Sequence, residues 1–152
     1  MKRILFTILP AMLFVFSSCG GGTADGKVPE LANEMCHCYE SMQQTLSPAA
    51  LQLYKDVAKA TDPSAAFQAG LAKLDKAEAD TVARSLMNIT NSDSKVYLCL
   101  QEYDRRHEKE TTRDKKKLLR KLLTELQKNT ACPLSAAIVN LGIKRQEQLG
   151  TK

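Results

Sequence analysis

The chain contains no tryptophan, and aromatic side chains make up only 5% of it. Beyond residue 28 only Gly70, Gly142 and Gly150 remain of its 7 glycines, so glycine does not punctuate a series of hairpins. No stretch alternates apolar and polar residues with period two, which excludes a half-exposed sheet. No apolar run reaches the ~20 residues that cross a bilayer as a helix. The longest, residues 4–16, is interrupted by Thr7 and Pro10. The usual catalytic and metal signatures are missing too: there is no G-x-S-x-G, no C-x-x-C, no H-E-x-x-H and no glycine-rich loop after a strand. What is present is 152 residues, 43% hydrophobic and 26% charged, with 22 basic and 17 acidic side chains and a net charge of +5. That composition fits one folded domain, neither wholly disordered nor a multi-span membrane protein.

The first residues address the chain to a compartment. Lys2 and Arg3 form a positive start, the apolar run follows, and the small residues Ser17 and Ser18 come directly before Cys19 and Gly20. This is the layout of an export signal. The segment Phe16-Ser17-Ser18-Cys19 resembles the lipobox of bacterial lipoproteins, with Phe16 standing where Leu is commonest. The resemblance covers about the first 22 residues. It implies attachment of diacylglycerol to the Cys19 thiol, cleavage before Cys19 and acylation of the new amino group. It also implies a place in the bacterial cell envelope. Gly20 stands where an inner-membrane retention Asp would be, which points to the outer membrane and its periplasmic face. Several acyl chains anchor durably where one would not, because each buried methylene contributes ~0.8 kcal/mol. An ordinary secretory signal, leaving Cys19 a free thiol, is the alternative. Residues 1–18 are thus expected as a signal peptide, and 19–28, rich in Gly, Thr, Ala, Asp and Lys, as a flexible tether.

Residues 29–149 read as helices. Proline suits a first helical turn and harms an interior, so Ser47-Pro48 and Asp62-Pro63, each a capping residue followed by Pro, mark helix starts. Pro29 and Pro133 are weaker versions of the same signal. Leu31, Met35, Cys38, Tyr39, Met42 and Leu46 share one face of a 3.6-residue period and predict a first helix over about 30–46. Leu51, Tyr54 and Val57 predict a second over 48–60, and Phe67 to Ile89 a third over 63–90, whose polar middle, Lys76 to Asp80, is a candidate break. Val96, Cys99, Leu100 and Tyr103 open a fourth. Its continuation to residue 128 is either one long helix with a solvated middle or, with Thr111 as cap and Asp114 completing a capping box, two. Leu134, Ile138, Val139 and Leu141 lie on a last helix. The expected class is all-α, an antiparallel bundle of about five helices.

With Cys19 assigned to lipid, Cys36, Cys38, Cys99 and Cys132 form an even set in an oxidising compartment, and two disulfides are expected. Cys36 and Cys38 lie about 200° apart around a helix and cannot bond to each other without breaking it. They must reach Cys99 and Cys132 separately, in an order the spacing leaves open. The sharper reading of Cys36-His37-Cys38 is a thiol or metal-dependent enzyme, or a metal-binding protein. Against it, neighbouring ligands on a helix diverge, and paired thiolates in tetrahedral sites usually have two or more residues between them. No metal or other cofactor is assigned. His107, among Arg105, Arg106 and Glu108, reads as a solvated side chain.

Residues 105–128 hold ten basic and four acidic side chains, densest at Lys115, Lys116, Lys117 and Arg120. Such a field attracts anionic lipid or another polyanion, or an acidic protein partner of the envelope. The plainer reading is a solvated helix face with weak pair design, Glu110 and Asp114 repelling at i, i+4. An exported chain without an aromatic platform is no nucleic-acid binder. The sequence therefore points to a lipid-anchored, non-enzymatic binding or structural module, held to the membrane by its N-terminal lipid.

Overall fold

The computed structural model describes residues 24–108 and 115–150. The expected signal peptide, Cys19, and the expected cap Thr111 with Asp114 lie outside the described residues. After a 3-10 turn, Ala24–Lys27, the chain forms α1 (Val28–Gln43), α2 (Pro48–Lys59), α3 (Pro63–Leu71), α4 (Lys76–Thr90), α5 (Lys95–Arg106), α6 (Lys115–Lys128) and α7 (Pro133–Gly150). Among the described residues there is no strand, and the all-α reading holds. The expected count of about five helices does not: the described residues form seven α-helices.

Local chemistry explains the starts. The Ser47 hydroxyl accepts from the Ala50 N–H at 3.1 Å and Asp62 accepts from the Ala65 N–H at 3.1 Å, each with Pro in the first turn. Ser94 accepts from the Tyr97 N–H at 3.1 Å and opens α5. The extra helices come from two breaks. The expected helix over 63–90 is cut at Ala72 to Leu74. Asp75 then accepts from the Glu78 N–H at 2.8 Å while the Glu78 carboxylate accepts from the Asp75 N–H at 3.4 Å, a reciprocal capping box that starts α4 afresh. In the segment 94–128, which reads as one long helix or two, α5 ends at Arg106 with His107 as its C-cap and α6 begins at Lys115.

The apolar faces meet in one core. Leu31 of α1, Tyr54 and Val57 of α2, Leu126 of α6, and Leu134 and Ala137 of α7 are almost wholly shielded from solvent. Each large side chain buried this way contributes ~1.5–3 kcal/mol relative to leaving it exposed. α2 packs along α7 and α3, and α1 lies against α5, α6 and α7. α6 and α7, joined by the short connection 129–132, run antiparallel. The end of α2 is fastened by side chains of both: Gln127 Nε2 donates to the Ala58 carbonyl at 2.6 Å, and Asn140 Nδ2 donates to the carbonyls of Val57 at 2.9 Å and Ala60 at 3.0 Å. The carbonyls of Ala58 and Ala60 gain partners this way, and Val57, which already accepts from the Ala60 N–H at 3.3 Å, gains a second. α4 is held least. It buries only Val82 and Ser85 and leaves Met87 67% exposed.

Candidate functional site

The cysteines organise α1. Cys36 is bonded to Cys132, just ahead of α7, with Cα atoms 5.6 Å apart, and Cys38 to Cys99 on α5, with Cα atoms 5.4 Å apart. This settles the order that the spacing left open, at ordinary disulfide separations. His37 points between them into solvent, 80% exposed, its Nδ1 3.1 Å from Glu40 Oε2. The trio Cys36-His37-Cys38 does not converge on a point, and both of its sulfur atoms are bonded elsewhere. Among the described residues no group of three or more His, Cys, Asp or Glu side chains is placed to hold a metal ion. No described helix is long and apolar enough to cross a membrane.

His107 corrects the sequence reading. Its side chain is only 14% exposed, with Nε2 2.9 Å from Glu34 Oε2 and the ring 4.9 Å from that of Tyr103. Arg106 Nη1 reaches the same Glu34 oxygen at 3.0 Å. The end of α5 is thus docked on α1 through one carboxylate. Asp104 and Glu34 also place negative charge near Tyr103, which adds to the larger effect of burial in pushing its phenol above the ordinary value.

The basic segment is divided by the fold. Arg105 donates twice to the Glu102 carboxylate, at 2.8 and 2.7 Å, and holds it below the usual carboxylate range. With Arg106 on Glu34, these two charges are answered within α1 and α5. Lys109, Glu110, Arg113 and Asp114 lie outside the described residues. Lys115 turns toward α1 and α5, lining a groove of about 390 Å³ with Met35, Tyr103 and Leu119. Lys117 is exposed on α6. Arg120 faces α7, where its Nη2 donates to Glu147 Oε1 at 2.8 Å. This bond, helped by the charges of Lys116 and Lys144, holds the Glu147 carboxyl below its ordinary value. So Lys116 and Arg120 belong with Lys144 of α7, whereas Lys115 lines the groove against α1 and α5.

Sequence reasoning centred the field on one segment and missed Lys144 and Arg145. Across α6 and α7 there are eight basic side chains and two acidic, Glu125 and Glu147, a net of +6; residues 24–108 carry nine basic and thirteen acidic, a net of −4. The signal was available as a count along the chain. That the two segments adjoin came only from the antiparallel packing.

Comparison with protein-family models, with curated proteins and with solved structures finds no match for this chain.

Proposed function

We propose that the protein is a lipid-anchored component of the bacterial cell envelope, facing the periplasm from the outer membrane. In this reading it works as a non-catalytic binding module whose contact surface is the basic face of α6 and α7. The lipobox-like segment ending at Cys19 supports the anchor, and the paired cysteines fit an oxidising compartment. The observation that carries the contact surface is the segregation of charge, +6 on the last two helices against −4 on the rest of the described chain. The partner of such a face is an anionic surface, to which each basic side chain contributes ~1 kcal/mol within a Debye length of about 8 Å. The reach is sufficient. The five steps from Cys19 to Ala24 extend to at most ~17 Å, the 3-10 turn Ala24–Lys27 adds ~8 Å, and α6, with 14 residues, is about 21 Å long. The bundle can therefore lie with α6 along the headgroup plane.

Two experiments test the two halves. Intact-mass analysis of native protein is expected to show an acylated N-terminus at Cys19, and Cys19→Ala is expected to release the protein from the membrane fraction; an unmodified terminus refutes the anchor. A chain beginning at Gly20 keeps every described helix, so it isolates the surface. It is expected to float with vesicles containing phosphatidylglycerol and not with phosphatidylcholine alone. Reversing Lys116, Lys117, Arg120 and Lys121 to Glu is expected to abolish flotation. Flotation that survives this reversal, or that ignores salt, refutes the contact surface.

A further inference from the structure

A cavity of about 160 Å³ opens where α2 meets the connection between α6 and α7. Its floor is apolar, made by Ala58 of α2, Leu126 of α6, and Pro133 and Ala136 of α7. The recess exists because Ala58 and Ala136, both buried, are small where a longer side chain would fill the space. Lys55 and Lys59 stand on its rim, one helical turn apart on α2 and therefore on the same side of that helix. Neither takes part in an ion pair among the described residues.

The polar surroundings favour negative charge. Pro133 and Ala136 belong to the first turn of the 18-residue α7, whose N-terminal end carries partial positive charge. The opposing carbonyl oxygens at the end of α2 are occupied by Gln127 and Asn140, so they are not turned on a ligand. Size restricts the choice further. The volume is close to the ~150 Å³ of an apolar cavity that accepts benzene. It is below the ~300 Å³ at which pockets for drug-sized ligands begin. A long acyl chain or a nucleotide does not fit.

We propose that this cavity binds a small organic carboxylate bearing one compact apolar group, an aromatic ring or a short branched chain. The apolar group occupies the Ala58 and Ala136 recess and the carboxylate meets Lys55 and Lys59. The site is separate from the basic face of α6 and α7 and does not depend on it.

Benzoate and isovalerate serve as probes, with neutral benzamide as the control, in an NMR titration of backbone amides. With so few ligand atoms, a Kd on the order of 1 mM is expected, with shifts centred on residues 55–59 and 130–136. Lys55→Gln combined with Lys59→Gln changes only exposed positions and is expected to weaken benzoate binding at least tenfold while leaving any benzamide response unchanged. Ala136→Leu is expected to abolish binding by filling the recess. If that variant does not fold, the double lysine variant still decides. Equal affinity for benzamide and benzoate, benzoate binding unaffected by loss of both lysines, shifts centred elsewhere, or no shifts at 10-fold the expected Kd would each overturn the proposal.

Discussion

The two disulfides are nested, and nesting sets how much each is worth. Cys38–Cys99 spans 61 positions and lies wholly inside Cys36–Cys132, which spans 96. In the chain-entropy model the inner bridge alone stabilises by about 4.3 kcal/mol and the outer alone by about 4.7. When one is already closed, however, the other completes a much smaller circuit, residues 36–38 plus 99–132, about 37 residues. Its increment falls to about 3.8 kcal/mol. Replacing Cys36 and Cys132 by Ala is thus expected to cost about 4 kcal/mol. Removing all four thiols is expected to cost about 8, less than the sum of the two isolated bridges. That loss is comparable to the whole stability of an ordinary domain, ~5–15 kcal/mol, so the bridge-free chain should be marginal or unfolded. Urea denaturation of the wild type and the two pairwise Ala variants measures this directly. The slope against urea should rise with each bridge removed, because the unfolded chain expands. A pairwise variant within about 1 kcal/mol of wild type would show that packing alone carries the fold and refute the reasoning. So would a reduced protein as stable as the oxidised one.

Four other outcomes follow from the packing. Asn140→Ala leaves the Ala60 carbonyl without its partner and takes one of two donors from the Val57 carbonyl, and is expected to destabilise by ~1–3 kcal/mol in the same assay, with Asn140→Asp worse because an acceptor then faces carbonyl oxygens. A Cβ at Gly70 would overlap the buried Leu53 side chain, so Gly70→Ala loses ~1–3 kcal/mol to overpacking against a helix-propensity gain of ~1; in a Leu53→Ala background the same change should turn stabilising. The Tyr54 hydroxyl is buried without a hydrogen-bond partner among the described residues, so thermal melts of Tyr54→Phe should show stability equal to or above wild type. Burial raises the Tyr54 phenol from 10.0 to about 12, and Tyr39 and Tyr103 are raised as well. An acid whose folded pKa is raised favours the folded state while protonated. That stability is whole below pH 10 and drains away as pH climbs through about 12. A pH titration followed by circular dichroism on a Tyr97→Phe background should show unfolding coincident with the absorbance of the three remaining phenolates; phenolates appearing there while the helices persist would contradict it.

The legible part of the fold was written in local chemistry. Ser47-Pro48 and Asp62-Pro63 name their helix starts because cap and proline act within one turn, and the structure places a hydrogen-bonded cap at each. Asp75 and Glu78 form a signal of the same kind. Its polar surroundings at Lys76 to Asp80 read as a candidate break, but the capping box that places the restart at Asp75 was overlooked because Phe67, Leu71, Val82, Leu86 and Ile89 keep one apolar phase. A short turn that happens to preserve helical phase leaves no mark on periodicity. His107 failed for a different reason: its partner Glu34 lies 73 positions earlier, and its neighbours Arg105, Arg106 and Glu108 suggested only solvent. The cysteine pairing needed the side of α1 on which α5 settles. The cavity was invisible because alanines at 58 and 136 look like any others until two helices are set face to face.

α1 is where the connections meet. Both disulfides begin on it, and Glu34 takes the end of α5 through Arg106 and His107. Gln43 at its far end donates to the Ala131 carbonyl at 2.6 Å and accepts from the Leu134 N–H at 3.4 Å. It is also the helix that follows the N-terminal segment, so in the lipid-anchored reading the membrane attachment leads directly into the most cross-linked element. Pulling on the anchor would then load covalent ties to α5 and to the start of α7 before it disturbed packing. The opposite holds for α4, which carries no bridge, buries only Val82 and Ser85, and hangs on α5 and α2. Local opening should therefore begin at α4 and spread last to α1, the order expected when stability follows buried apolar contact and cross-linking rather than position in the chain. Hydrogen exchange that protects α4 as strongly as α1 would mean that this ranking misjudges what holds the bundle.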